Sequence, residues 1–280
     1  MDRRAMWAIA IKDIKAIRSS VQVWLPMILV PIVMCALIPG GMIYGVRRFG
    51  IEGMGNMGNM DSLAKLIDSL PPGSLRDTIT SFDSPEKQVL YFVLNHLFVS
   101  FFLIIPLMLS SVITANSFAV EKERGTLETL LFSPVEIRTL FAGKVLSAFI
   151  PGMAVTFLCG LVYGIVVNVL AYPLFEELIF PTLNWAVLLL WTIPAVILFA
   201  IFINVIISAK VKGFQEAYQL SGLLVLPVLA LVLGQALGAL VLDTQWLLWG
   251  GAMVLALAMG MLGFISRHFD RNRLFESQVS

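Results

Sequence analysis

Residues 178–209 read LIFPTLNWAVLLLWTIPAVILFAIFINVIISA, a run of 32 residues that contains no Lys, Arg, Asp or Glu. An α-helix needs roughly 20 consecutive, mostly apolar residues to cross a bilayer. This run is long enough for one crossing, and charged chain resumes on either side at Glu177 and Lys210. The fold class therefore depends on whether the chain repeats such runs.

Five further charge-free runs are present, and their lengths are 28, 33, 31, 26 and 23 residues. Of the 280 residues, 59% are hydrophobic and 13% are charged, whereas soluble domains are about 45–50% apolar and about 25% charged. This composition excludes a soluble domain and a disordered chain. We predict an all-α, polytopic membrane protein whose residues 19–280 form one six-span transmembrane domain. The predicted spans are 21–46, 89–117, 145–170, 184–208, 218–240 and 246–265.

The basic residues lie mostly on one side of the predicted spans. Fourteen of the 19 Lys and Arg residues fall in 1–18, 121–144, 210–216 and 267–280, and the other five fall in the loop 47–87. The side that is richer in Lys and Arg is normally cytoplasmic. We therefore place both termini in the cytoplasm and the loop 47–87 outside.

Residues 1–18 are predicted to form an amphipathic helix at the membrane interface. Trp7, Ile11 and Ile14 follow a spacing of three to four residues, and Arg18 belongs to the basic face of the same helix. The simpler alternative is a basic flank that only fixes the topology.

Several kinds of active site lack their sequence signatures. The charge-free runs contain no ionisable residue suited to ion-coupled transport except His96, and the chain has no H-E-x-x-H, G-x-S-x-G or G-x-x-x-x-G-K-[ST] motif. We therefore expect no catalytic residue, no metal site, no bound cofactor and no nucleic-acid partner. The spacing of Met54, Met57 and Met60 admits Cu(I) ligation, but a flexible Met-rich surface is the favoured interpretation.

The cytoplasmic loop 119–144 has the most specific pattern. Residues 121–124, with the sequence EKER, end span 2 in a charged turn. Gly125 suits the C′ position of that helix, because glycine adopts the left-handed conformation without a steric penalty. Arg138 and Lys144 are expected to lie near lipid headgroups.

A short helix is predicted directly after Gly125. Thr126 is a suitable N-cap, and Glu128 lies in the first turn, where negative charge is favourable. The apolar face consists of Leu127, Leu130 and Leu131. Residues 133–136 (SPVE) then form a capping box, with Pro134 at the first position of a helix that continues into span 3. This short helix either anchors the loop on the membrane surface or docks a soluble partner.

The loop closely resembles the E-x-E-x-G-T-x-E-x-L-x-x-x-P signature of type 2 ATP-binding-cassette (ABC-2) exporter permeases. The matching residues here are Glu121, Glu123, Gly125, Thr126, Glu128, Leu130 and Pro134. The Gly143–Lys144 pair, the amphipathic start, the six spans and the cytoplasmic termini are similar to the same family. Within it, the sequence looks most like the sodium-efflux and drug-export branch.

The resemblance implies a permease that exports a substrate by means of a separate ATPase. It implies two ATPase subunits that hold ATP and Mg²⁺, a second permease chain in a homodimer or heterodimer, and a coupling role for the loop. It places the chain in a cell membrane, in contact with lipid, and favours a prokaryotic plasma membrane. The alternative is a membrane scaffold that recruits a soluble partner through 119–138 and transports nothing.

The family often has a re-entrant outer segment between spans 5 and 6, and the sequence has an unusual stretch there. About 50 apolar residues are interrupted only by Asp243, and Gly234, Gln235 and Gly238 precede it. Non-helical backbone at membrane depth is tolerated when it is buried in protein. We therefore predict that the chain dips back into the outer leaflet between Gln235 and Trp246.

Overall fold

All regular structure in the described part of the chain is helical. A computed structural model describes residues 2–19, 21–50, 67, 73–123, 125, 136–211 and 213–268. The predictions for Met54, Met57 and Met60 lie outside the described residues. The same holds for the predicted short helix at Thr126–Phe132.

Six helices in the described ranges are long and apolar enough to cross a membrane, as predicted. A separate helix, α1 (Arg3–Ser19), precedes them. A short helix, Ser74–Thr80, lies before span 2. The bounds of the six are Met27–Phe49 for span 1, Pro85–Glu123 for span 2, Arg138–Phe175 for span 3, Leu183–Lys210 for span 4, Phe214–Ala236 for span 5 and Thr244–Ile265 for span 6.

Spans 2 and 3 are longer than their apolar runs indicate. Span 2 continues through Glu123, and the helix of span 3 starts at Ile137, because charged residues end an apolar run without ending a helix. Span 5 has the predicted length of 23 residues but starts and ends four residues earlier, at Phe214 and Ala236, shortly before Gly238, whose φ is +73°. The left-handed conformation at Gly238 turns the chain out of the helix.

Spans 2 and 3 begin in different ways. At the start of span 2, Pro85 occupies the first turn, and the Ser84 side chain accepts a hydrogen bond from the backbone N–H of Lys87. The helix of span 3 begins at Ile137, with Glu136 in an extended conformation at the N-cap. The extended Glu136 means that the helix of span 3 does not continue without a break from the predicted capping box at 133–136, of which residues 133–135 lie outside the described residues.

Spans 1, 2 and 4 each contain one π-helical turn, at Val33–Leu37, Val93–Leu97 and Leu188–Thr192. Two of the turns have a direct cause. A proline has no N–H for the carbonyl four residues earlier. Pro39 therefore donates no hydrogen bond to the carbonyl of Cys35, and Pro194 donates none to the carbonyl of Leu190. Each of these two carbonyls lies within one of the π-helical turns, where the helix is locally widened.

Span 2 is the centre of the bundle. In its most apolar window 78% of the residues are buried, compared with 17% in span 6 and 22% in span 5. Towards the outer end, the fully buried Trp185 of span 4 stacks on Tyr163 of span 3, with ring centroids 4.6 Å apart. From this central position, span 2 packs against α1 and against spans 1, 3, 4 and 5.

Candidate functional site

Three consecutive residues at the end of span 2 that is predicted to be cytoplasmic bind three different parts of the protein. These residues are Glu121, Lys122 and Glu123, the first three of the charged turn. Successive residues of an α-helix point about 100° apart. A run of three charged residues can therefore reach partners on three sides of the helix.

Glu121 connects span 2 to α1 and to span 3. Its Oε2 atom lies 2.6 Å from Nζ of Lys144 in span 3. Its Oε1 atom accepts a hydrogen bond of 2.9 Å from Nζ of Lys12 in α1. One carboxylate therefore binds a lysine from each of two other helices.

Lys144 is enclosed by protein, with a side chain that is 0% exposed. Its Nζ donates to the Ser117 carbonyl at 2.6 Å and to Ser117 Oγ at 3.1 Å. It also lies 3.5 Å from Oδ2 of Asp13 and 4.9 Å from the ring centroid of Phe118. The expected position of Lys144 near lipid headgroups is wrong, because the buried Asp13 and the partly buried Glu121 satisfy its charge inside the protein.

Helix α1 packs closely against span 3. A Cβ atom at Gly143 would lie 2.8 Å from the carbonyl oxygen of Met6 and 3.0 Å from Cβ of Ile9. Only a residue without a side chain permits this approach. Next to this contact, Asp13 of α1 accepts a hydrogen bond of 2.7 Å from Ser117 Oγ of span 2.

Lys122 binds the cytoplasmic end of span 4. Its Nζ donates to the carbonyl of Ala209 at 2.8 Å and to the carbonyl of Val211 at 2.9 Å. The last carbonyls of a helix have no partner within the helix and carry partial negative charge. A lysine from a neighbouring helix therefore caps span 4.

Glu123 binds the cytoplasmic start of span 5. Its Oε2 atom accepts a hydrogen bond of 3.1 Å from the backbone N–H of Phe214. A Cβ atom at Gly213 would lie 2.9 Å from the same oxygen, so glycine makes room for the carboxylate. The first N–H groups of a helix favour a negative partner.

The rest of the predicted coupling motif is described only at Gly125. Gly125 has a φ of +67°, and its N–H donates to the Lys122 carbonyl at 3.1 Å. This is the left-handed helix end that the sequence predicts. The predictions for Thr126, Leu127, Glu128, Leu130, Leu131 and Pro134 lie outside the described residues.

The predicted interfacial residues occupy different environments. Trp7 and Ile11 are 49% and 47% exposed, and Ile14 is partly buried. Arg18 lies in α1, and Arg138 is exposed at the start of span 3. An exposed apolar face on α1 fits contact with lipid, which stays a prediction.

At the outer end, the chain makes a tight turn after span 5. The φ of Gly238 is positive, and its N–H donates to the Gln235 carbonyl at 3.0 Å. The carbonyl of Gly234 accepts from the N–H of Ala239 at 2.9 Å. Asp243 precedes span 6 and accepts a hydrogen bond of 2.7 Å from the N–H of Thr244. Re-entry of this segment into the membrane stays a prediction.

A buried polar network joins the spans near this turn. The fully buried Gln235 of span 5 accepts a hydrogen bond from Ser100 of span 2. His96 of span 2 contacts Asn184 of span 4, with 3.2 Å between Nδ1 and Nδ2, and Asn184 binds Thr244 of span 6. Such hydrogen bonds hold membrane helices together.

Four residues of the cytoplasmic site were not found by sequence reasoning. They are Lys12, Asp13, Ser117 and Lys122. One signal was available: Asp13 is the only acidic residue in the basic helix α1, and it lies three residues after Ala10. Both are buried. A lone acid in such a helix indicates a basic partner, although the sequence does not say which one.

The six-span architecture agrees with the comparison of the chain with known proteins. No curated protein and no solved structure matches it significantly. A model of the ABC-2 family transporter proteins matches residues 7–264, from α1 to the end of span 6. The chain is therefore a member of the ABC-2 transporter family and a multi-pass membrane protein.

Proposed function

We propose that this chain is the permease subunit of an ABC exporter, driven by ATP hydrolysis on a separate ATPase subunit. ABC-2 permeases normally work with an ABC ATPase and have no ATPase site of their own. The observation that carries the proposal is the set of contacts of Glu121, Lys122 and Glu123. These contacts connect the start of the cytoplasmic loop to α1 and spans 3, 4 and 5.

A force on the loop has a direct route into the bundle. The loop 126–135 joins span 2 to span 3, so closure of the ATPases displaces the inner ends of both helices together. Lys122 and Glu123 carry the displacement to the span 4–5 turn, since they bind Val211 and Phe214 on either side of it. Substrate then passes between two permease chains as the spans tilt.

The proposed complex contains two ATPase subunits and two permease chains, as a homodimer or a heterodimer. ATP and Mg²⁺ bind to the ATPases. The complex lies in a cell membrane, for which we favour a prokaryotic plasma membrane. Sodium, a hydrophobic drug, a peptide and a lipid are all candidate substrates, and the sodium-efflux and drug-export branch stays a prediction.

The proposal is tested by purifying the chain from its native membrane in detergent. We expect an ATPase with Walker motifs to copurify and to hydrolyse ATP at a rate that differs from that of the isolated ATPase. The variant E121Q/E123Q/L130A should insert into the membrane but abolish this difference. The control is E177Q, which makes the same chemical change at an exposed outer site. A chain that purifies without any ATPase would support the scaffold alternative and overturn the proposal.

A further inference from the structure

The cytoplasmic site includes a compact cluster of four charged side chains from three helices. Lys12 and Asp13 belong to α1, Glu121 to span 2 and Lys144 to span 3. Two positive and two negative charges give a formal sum of zero. The Asp13 and Lys144 side chains are 5% and 0% exposed, whereas that of Lys12 is 53% exposed. Glu121 is 14% exposed, so Lys12 is the one member of the cluster that is largely open to solvent.

We propose that Asp13 and Lys144 are positioning residues of the coupling site, which make α1 move with the cytoplasmic loop. The inference rests on the proposed function. It adds helix α1 to the loop and the spans as a part of the protein that moves during coupling. Glu121 lies in the last turn of span 2, directly before the loop. Lys144 binds Glu121 at 2.6 Å and approaches Asp13 at 3.5 Å.

The chemistry of the contact indicates that it fixes the position of α1 relative to spans 2 and 3. A buried ion pair gives little net stability compared with well-packed apolar residues, because both charges lose their hydration. The α1–span 3 contact already has an apolar part, where Ile9 meets Gly143. The ionic part adds a fixed register instead: Ser117 binds both Asp13 Oδ2 and Lys144 Nζ, so a slip of α1 along the bundle breaks several bonds.

The two faces of α1 separate this role from lipid anchoring. Trp7 and Ile11 are exposed, while Ala10 and Asp13 are buried against the spans. A helix that only anchors the chain to lipid needs the first face alone. The second face connects α1 to the end of span 2 from which the loop begins.

The inference is tested by measuring the distance between α1 and the outer start of span 6 in the full complex, because the start of span 5 is itself bound to the loop end through Glu123. Spin labels are placed at A8C and Q245C, both exposed positions, in a C35A/C159A background that removes the two buried cysteines. The complex with its ATPase is studied in lipid nanodiscs, first without nucleotide and then trapped with ADP and vanadate. The labelled but otherwise unchanged chain should show a shift in the distance distribution on trapping.

The decisive variant is D13N/K144M, which removes one charge of each sign and leaves the Lys12–Glu121 pair. We expect it to bind the ATPase, because the loop is unchanged, and to lose the nucleotide-dependent shift. The control K15M removes an exposed lysine of the same helix and should keep the shift. An undiminished shift in D13N/K144M would overturn the inference and leave the proposed function intact.

Two further outcomes are decisive. If D13N/K144M fails to insert, D13A replaces it, because D13A removes the carboxylate of α1 and keeps the Lys144–Glu121 pair; we expect D13A to lose the shift. A D13A chain that assembles with the ATPase and keeps an undiminished shift would overturn the inference. If the labelled, otherwise unchanged chain binds no ATPase at all, the proposed function fails, and the inference fails with it.

Discussion

The Nζ atom of Lys144 lies 2.6 Å from Oε2 of Glu121, inside the protein and 23 positions apart in the chain. Lys144 is fully enclosed, so this lysine has no access to solvent or lipid. Breaking a buried ion pair by removing one partner costs about 3–5 kcal/mol, because the other charge stays buried without compensation. The stability of the folded protein should therefore fall when either charge of the Lys144–Glu121 pair is removed alone.

We predict that K144M destabilises the folded protein by roughly 3–5 kcal/mol. The double variant D13N/K144M should be more stable than K144M, since it also removes one of the two carboxylates. Thermal unfolding in detergent measures both, with K15M as the control for losing an exposed lysine. Equal stability of K144M and K15M would contradict the buried position of the ammonium group.

We predict that G143A loosens α1 from span 3. The new Cβ atom would lie 2.8 Å from the Met6 carbonyl, and overpacking of this kind costs about 1–3 kcal/mol. The matched control is G41A, because the same addition at Gly41 meets no atom within 4 Å. We expect G41A to stabilise the folded protein by about 0.5–1 kcal/mol, since alanine favours the helix more than glycine does.

The loosening is measured by thiol labelling of A10C, a position that is fully buried in α1. The C35A/C159A background and a membrane-impermeant maleimide on inside-out vesicles are used. A10C should react faster in G143A than in G41A. The same slow labelling in both would show that α1 does not depend on this close contact.

The six spans could be predicted from the sequence, because a helix that crosses a bilayer needs a long apolar run. The charged residues on either side mark where each run ends. The charged residues at the ends of the spans were harder to interpret. Lys144 follows an ordinary pattern for a lysine near headgroups, and its partner Asp13 is 131 positions away in the chain. Pairing over such a separation depends on how the helices pack. Glu121 and Glu123 were recognised through a motif, but their separate partners required coordinates.

We predict a graded effect at Glu123. E123A removes the acceptor for the Phe214 N–H, whereas E123Q keeps an oxygen acceptor and loses only the charge. Charge at a helix N-terminus contributes about 0.3–1 kcal/mol when it is exposed. Amide hydrogen exchange of Phe214–Ala217 should be fastest in E123A, intermediate in E123Q and slowest in the unchanged chain. The same rates in all three would mean that Glu123 does not cap span 5.

We predict a pH dependence for the contribution of Lys12. Burial lowers the pKa of Lys12, but the hydrogen bond to Glu121 and the charges of Asp13 and Glu121 outweigh it, so the pKa is raised above its ordinary 10.5. A raised pKa in the folded state means that the stabilisation is fully present below pH 10.5 and is lost as the pH rises through the folded-state value.

This dependence is measured as the difference in Tm between the unchanged chain and K12M at a series of pH values. The difference should be constant from pH 7 to 9, shrink above pH 10.5 as the pH approaches the raised pKa, and be absent beyond that pKa. A difference that grows with rising pH would contradict the assigned contacts of Lys12.

The central claim is that the loop after span 2 contacts an ATPase, and crosslinking from Leu130 tests it most directly. A photoreactive amino acid at Leu130 is activated in native membranes. A separate control variant carries the same amino acid at the exposed outer position Glu177 instead. We predict that the Leu130 probe crosslinks to a protein with Walker motifs and that the yield changes when ATP and vanadate are added. A Leu130 probe that labels only lipid, as a membrane anchor would, would contradict the claim.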